Sequence, residues 1–368
     1  MIKLYTLNVY LANENEGHYY EYLKSVIKAS NINKWEIHNY IPKNSNIKET
    51  KNFYKLLNHH SYSNLFNSKF LQPFKNFKIY KKILRTFKHS KNTHIILVDN
   101  FSPAQLLVLL LSTIFSSNNY QLWAIHRYDP LESIFKGKVH KIIFKLFKKT
   151  IETKLFVDTD LLLKQCIQHF KIIPILLPIP HTDNLDKMKK KITHNKSITC
   201  WWPGILRPGK GKEKIFFLLE KIKENQNFKI ILSKIIKPEL KIIYNNLIFT
   251  DYTIDRTKFS ELMLNVDLIL LPYDSKEYSI KSSGIFVESI FSGNIVLTTE
   301  NTWMAYELKK YDLNELVIDW NSNNIENNIK ALINDKNIVY KLKKMNQNYK
   351  KFHNIKNFAN ILKKQITN

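Results

Sequence analysis

Residues 281–297 read KSSGIFVESIFSGNIVL. Lys281, Ser282, Ser283 and Gly284 lead into an apolar run that one carboxylate, Glu288, interrupts. The stretch follows a strand-like segment, DLILLPYD at 267–274. A helix starting near Ser283 leaves its first N–H groups, on Ser283, Gly284 and Ile285, without intrahelical partners, and the helix dipole turns them into an anion site. Gly284 lets a phosphate approach the backbone, Ser282 and Ser283 offer hydroxyl donors, and Lys281 adds a positive charge. Glu288, one turn inside that helix, is suited to accept both hydroxyls of a ribose. The competing reading is an N-capped core helix with a stray acid.

A second stretch repeats the arrangement of strand, glycine-rich turn and helix: WWPGILRPGKGKEKIFFLLEKI at 201–222. Gly204 frees the backbone for close approach, and Arg207 and Lys210 carry charges that could neutralise a diphosphate leaving group. It is not a P-loop, because GKGKEK lacks the required spacing and the hydroxyl residue after Lys. A surface turn with solvated lysines is the alternative.

The elements that must position these residues alternate along the whole chain. Strand-like segments fall at 2–10, 35–41, 94–100, 120–128, 154–159 and 173–180, then at 197–204, 228–234, 246–250, 267–274, 294–300 and 315–320. Helical patterns separate them, and the polar stretch 181–196, HTDNLDKMKKKITHNK, divides the two sets. Continuous apolar strands alternating with helices predict parallel sheets covered on both faces. The fold class is therefore α/β, with two Rossmann-like doubly wound domains facing across a cleft. Residues 1–180 are expected to form the N-terminal domain, 181–196 the linker and 197–345 the C-terminal domain. A C-terminal helix over 346–368 is expected to pack back on the first domain.

Length and composition fit that reading. The chain has 368 residues, 44% of them hydrophobic, so it can bury two ordinary cores. Its net charge of +26 draws phosphates on nucleic acid, anionic lipid or nucleotide, although lysine, asparagine and isoleucine are abundant throughout. Cys166 and Cys200 make neither a metal spacing nor a disulfide framework, which points to a reducing compartment. The N-terminus turns polar too soon for a signal peptide, and the apolar run at 104–115 is too short to span a bilayer.

Taken together, the two loops resemble the nucleotide-sugar domain of GT-B glycosyltransferases, and among these the family 4-like enzymes of bacterial polysaccharide and glycoconjugate assembly. The resemblance rests on the order and spacing of PG, Arg207 and KG in the first loop, LPYD, Lys281, Ser283–Gly284 and Glu288 in the second, and TTENTWMAYEL at 298–308. It extends weakly into the first half through EGHYYEYLKSV (16–26), LWAIHRYDP (122–130), LFVDTD (155–160) and LLPIPH (176–181). It implies that Gly204, Lys281, Ser282, Ser283, Gly284 and Glu288 hold the donor, with Arg207 and Lys210 facing its diphosphate. His126 would lie near the donor sugar, and Gly17, His18 and Arg127 on the acceptor side. Many such enzymes carry a second glutamate eight residues before the ribose-binding one. Here that position is Ile280, with Glu277 the nearest acid.

The activity implied is a hexosyl transfer from a nucleotide-diphosphate sugar to a glycan, lipid-linked or protein acceptor, retaining and independent of metal. The nucleotide sugar is a co-substrate, and no cofactor, metal or nucleic acid is expected. The expected location is cytoplasmic, at the inner face of the membrane. Three alternatives stand beside it. Asp158-Thr159-Asp160 could hold a divalent metal as GT-A enzymes do, although a cap for the following helix is a cheaper role. A nucleotide-sugar epimerase shares the architecture, and a non-catalytic basic nucleotide- or nucleic-acid-binding protein would explain the charge.

Two basic amphipathic stretches bear on the membrane. In 135–151, Val139, Ile142, Ile143, Leu146 and Phe147 share one helical face, and Lys138, Lys141, Lys145 and Lys148 the opposite one. The expected arrangement there is a crossover helix with its apolar face on the sheet. In 74–91, Phe77, Tyr80, Ile83, Leu84 and Phe87 oppose Lys75, Lys78, Lys82 and Arg85, which suits a sheet or an anionic membrane equally.

Overall fold

The computed structural model describes every residue except 14–17, 49–50, 60–71, 128, 131–132, 183–184, 186–196, 204–206, 208, 224, 253 and 367–368. The side chains of His18, Ile134 and Lys136 also lie outside the description, as does most of the segment 181–196. The chain divides into two units: Met1–Pro178 with Phe358–Asn368, and Ile179–Asn357.

Unit 1 is built on a seven-stranded sheet of order β3-β2-β1-β4-β5-β6-β7. Its strands are β1 (Ile2–Leu7), β2 (Glu36–Pro42), β3 (Phe53–Leu57), β4 (Thr93–Asp99), β5 (Gln121–Ile125), β6 (Thr153–Val157) and β7 (Ile175–Leu176). All pairings are parallel. The helices are α1 (His18–Ile32), α2 (Phe77–Arg85), α3 (Pro103–Ile114), α4 (Ile134–Thr150) and α5 (Asp160–Phe170). Strand β5 is buried along its whole length, as a strand covered on both faces must be.

The sequence reading misses β3, an edge strand whose register against β2 slips at Ile41/Pro42 and whose FYKLL pattern is only partly buried. It also overextends the strand at 173–180, of which only β7 pairs. In α4 the apolar face divides: His140, Ile143, Phe144 and Phe147 are buried, whereas Ile142 and Leu146 face outward. In α2 the inward face is Tyr80, Ile83 and Leu84, with Phe87 buried just beyond, as the periodicity predicts for a helix laid on a sheet.

Unit 2 carries a five-stranded parallel sheet of order β10-β9-β8-β11-β12. Its strands are β8 (Ile198–Trp201), β9 (Phe228–Ser233), β10 (Leu247–Thr250), β11 (Leu268–Leu271) and β12 (Ile295–Thr298). Helices α6 (Lys212–Ile222), α7 (Arg256–Asn265), α8 (Ser275–Tyr278), α9 (Gly284–Ser292) and α10 (Trp303–Lys309) connect and follow them. Then come α11 (Ile325–Asn334), α12 (Lys336–Phe352) and α13 (Ile355–Lys363). The predicted strand at 315–320 is instead a short 3₁₀ turn, Asn314–Leu316, with one bridge from Val317 to Thr298. Among the described residues no helix is long and apolar enough to cross a membrane. Both cysteines are buried and unbridged.

Candidate functional site

In unit 2 the strand order reverses between β8 and β11, which are neighbours although β9 and β10 separate them in the chain. Crevices at such reversals, at the carboxyl ends of the strands, are where open parallel sheets bind ligands. The two loops singled out by sequence are the ones that leave β8 and β11, so the topology brings them together.

Their contact is close. The backbone N–H of Asp274 donates to the carbonyl of Gly209 at 2.9 Å. Gly209 and Gly211 both have positive φ, 78° and 74°. A Cβ on Gly211 would collide with the carbonyl oxygen of Pro272, and one on Gly209 with the Glu277 carboxylate. The positive φ favours glycine at both positions, and at Gly211 the Pro272 backbone also leaves no room for a side chain. Between them the Lys210 ammonium lies 3.6 Å from the ring centre of Tyr273 and 4.6 Å from that of Tyr278. Burial, and then the nearby charge of Arg207, push the Lys210 pKa down to about 7, against a smaller opposing pull from Glu277. Arg207 itself is exposed. Lys214, one turn into α6, reaches Thr299 Oγ1 at 3.1 Å, tying the loop after β12 to the same edge.

The second loop enters α9 as its sequence predicts. Ser283 is the N-cap, and its hydroxyl accepts from the Phe286 N–H at 3.3 Å. Gly284 begins the helix, and Lys281 and Ser282 are half-buried just before it. At the other end Gly293 takes the left-handed conformation. The Asn346 amide donates to the carbonyls of Ile290 and Phe291, at 2.7 Å each. Capped at both ends, α9 holds its N-terminus rigidly at the switch point.

Glu288 is 1% exposed and forms an ion pair with Arg256. The Arg256 guanidinium also donates to the carbonyl oxygen of His181 at 2.6 Å, and the His181 ring nitrogen stands 3.8 Å from the same Glu288 oxygen. Glu288 is thus no stray acid in an apolar helix; it is one corner of a buried polar cluster. Removing Arg256 would strand a buried carboxylate, at a cost of about 3–5 kcal/mol.

In unit 1, His126 and Arg127 follow β5 at the carboxyl edge of the sheet. The His126 ring is 1% exposed and packed among Phe101, His140 and Phe170, at centroid distances of 5.8, 5.4 and 5.3 Å. Its surroundings are those of a core side chain. Arg127 pairs with Asp99 at 3.2 Å and lies 3.5 Å over the Tyr22 ring. Burial raises the Asp99 pKa, while Arg127 pulls it down and Asp158 adds to the rise. Thr159, rather than either aspartate beside it, caps α5 by accepting from Leu162 N–H at 3.0 Å. Asp160 occupies the first turn, and Asp158 is buried within the field of Arg127. Gly17 and Gly204 lie outside the described residues; His18 opens α1, with its side chain likewise outside.

Sequence reasoning did not find Arg256, His181, Tyr273, Tyr278 or Asp99 as site residues. Tyr273 lies inside the quoted LPYD and Asp99 inside a quoted strand, so their positions after strands were the available signal. Arg256 follows an N-cap, Asp255, in a stretch without periodicity, and nothing local marks it.

No protein-family model matches the sequence, and no characterised protein matches it at the sequence level. In fold the chain is similar to the N-terminal domain of Candida albicans trehalose-6-phosphate phosphatase, with a TM-score of 0.69 at 10% identity over 99% of this chain and 97% of that one. It is similar to an E. coli trehalose-6-phosphate structure bound with UDP-2-fluoro glucose, with a TM-score of 0.66 at 10% identity and complete coverage of both chains, 100% each. It is also similar to a UDP-N-acetylglucosamine 2-epimerase, with a TM-score of 0.59 at 10% identity over 94% of this chain and 90% of that one. The fold is that of two Rossmann-like domains of the GT-B type.

Proposed function

We propose that the chain is a GT-B glycosyltransferase that moves a hexosyl group from a nucleotide-diphosphate sugar to a glycan, lipid-linked or protein acceptor, with retention and without an essential metal. The observation that carries this reading is the joining of the Arg207–Gly211 loop to the Pro272–Gly284 loop at the switch point of unit 2. It sets a buried cation beside the capped head of α9. The family 4-like character remains part of the proposal, on the motifs quoted above.

The chemistry follows from the leaving group. As the bond from the sugar carbon to the diphosphate oxygen breaks, positive charge grows on the ring and negative charge on the diphosphate. Groups aimed at that growing charge in advance lower the barrier, and losing one typically costs about 10²–10³ in rate. Lys210, Arg207 and Lys281 supply cations, and the first N–H groups of α9, with Ser282 and Ser283, supply donors. Glu288 accepts from the ribose hydroxyls while Arg256 holds it in place. The departing diphosphate takes the proton of the acceptor hydroxyl. In unit 1 the Arg127–Asp99 pair is the group assigned to the acceptor. His126, enclosed by aromatic rings, is assigned the shaping of that strand end rather than direct work on the sugar.

A screen of thermal shifts with UDP-, GDP-, ADP-, CMP- and dTDP-sugars tests the site. A shift with one nucleotide, lost in Glu288→Gln, is the expected result. A chain that is stabilised by none of them, with its fold intact by circular dichroism, would overturn the reading. The epimerase relative in fold supplies the second reading. It is distinguished by incubating the recognised sugar nucleotide without acceptor and following the sugar by NMR. A change of configuration in the intact donor would favour the epimerase.

A further inference from the structure

Unit 1 presents a helical layer whose outer side the donor chemistry does not use. The crossovers from β3 to β4, β4 to β5 and β5 to β6 all advance in one direction along the sheet. Being right-handed, they lay α2, α3 and α4 on one face. α3 packs against both neighbours. None of the three helices contains an aspartate or a glutamate, whereas α2 carries Lys78, Lys81, Lys82 and Arg85 and α4 carries six lysines.

Apolar side chains stand among these cations. Because α4 turns His140, Ile143, Phe144 and Phe147 inward, Phe135, Ile142 and Leu146 point away from the core, 76%, 59% and 43% exposed. Their spacing puts them in one stripe along the helix, with Lys138 and Lys149 beside it. At the end of α3, Ile114 and Phe115 are each 61% exposed. Phe77 of α2 meets the Phe115 ring edge-on at 6.3 Å, and the Lys81 ammonium stands 5.8 Å from the centre of that ring.

The mixture selects among partners. A face made only for water would not expose five large apolar side chains on adjacent helices. The core of a protein interface is depleted in lysine. Duplex DNA would be met by the lysines but gains nothing from Ile142 and Leu146. A bilayer surface with anionic headgroups uses both kinds: apolar tips enter the acyl boundary while lysine stems lie along it and their ammonium groups meet phosphates. We propose that the outer side of α2, α3 and α4 docks unit 1 on an anionic lipid surface. The proposal is independent of the donor site in unit 2.

Co-sedimentation of the full chain with phosphatidylcholine vesicles, with and without phosphatidylglycerol, tests it. The chain is expected to partition onto the vesicles containing phosphatidylglycerol and not onto the neutral ones. Replacing Phe135, Ile142 and Leu146 together by serine should weaken partition about tenfold or more while leaving the thermal midpoint unchanged, because these side chains lie outside the core. The pair Lys138→Glu and Lys149→Glu should weaken it to a similar degree. No partition onto anionic vesicles, or an unchanged partition in the triple serine variant, would overturn the proposal. So would retention on duplex DNA without vesicle binding.

Discussion

Lys210 shows how much one side chain can reveal about its ligand. Its ammonium is attracted to the faces of Tyr273 and Tyr278, yet burial and Arg207 hold its pKa near 7, well below the ordinary lysine value. The unfolded chain keeps that proton up to about pH 10.4, so it binds more protons than the native state between about pH 7 and 10.4. Stability contributed at this residue therefore rises as pH climbs through that window. Ligand binding has the opposite sign. A diphosphate seated beside Lys210 restores its charge, so binding above about pH 7 must take up a proton. The affinity for a nucleotide sugar, whose diphosphate diester keeps a constant charge, is expected to fall by up to about tenfold per pH unit above 7. Titration calorimetry from about pH 6 to 9 checks this, and Lys210→Met should bind weakly with no such slope. An identical slope in the variant would place the titrating group elsewhere. Lys210, Ser283 and Glu288 were singled out in the sequence because each lies in or just beyond a loop that leaves a strand. Arg256 and His181 were not, since they reach Glu288 from segments without periodicity.

Among the elements, the strands with continuous apolar runs were the most legible, because burial on both faces leaves an unmistakable composition. Where burial is partial the signal fails: β3 was overlooked, and ELVIDW at 315–320, apolar but placed beyond the sheet edge, was mistaken for a strand. Helical periodicity found α4 but misjudged which of its apolar residues face the sheet, since a stripe wide enough for two faces offers two solutions. The loop after β8 was read only as glycine-rich, whereas its geometry gives Gly209 and Gly211 each a reason. Gly211 is the N-cap of α6 at positive φ with the Pro272 carbonyl against it. Gly211→Ala must therefore strain the backbone and push the two loops apart. A destabilisation of about 1–3 kcal/mol in urea unfolding is expected, with a larger proportional loss of nucleotide-sugar binding than Ser283→Ala, which removes only one cap. Equal stability of Gly211→Ala and the parent chain would show that the loops are not interlocked.

On the scale of the whole chain, the alternation of strands and helices and the polar break near residue 181 made the two-sheet plan readable. The chain also returns, over a shorter span than the 346–368 expected from sequence. After unit 2 ends at Asn357, residues 358–368 belong to unit 1. There Phe358, Ala359 and Leu362 are fully buried, and Asn33, just beyond α1, donates to the Ala359 carbonyl at 2.9 Å. A short amphipathic helix reads alike whichever core receives it, so the sequence does not mark the residue at which the return begins. Burying a phenylalanine and a leucine is worth about 1.5–3 kcal/mol each, so truncation after Asn357 should cost unit 1 about 4 kcal/mol. Unit 2 keeps its own sheet and the caps of α9, and should lose far less. Hydrogen exchange read by mass spectrometry separates the two. Amides of α1 and β2 are expected to lose protection in the truncated chain while those of β11 and α9 keep theirs. Uniform loss across both sheets would mean that the units do not hold their stability separately, and that the final helix serves a single cooperative whole.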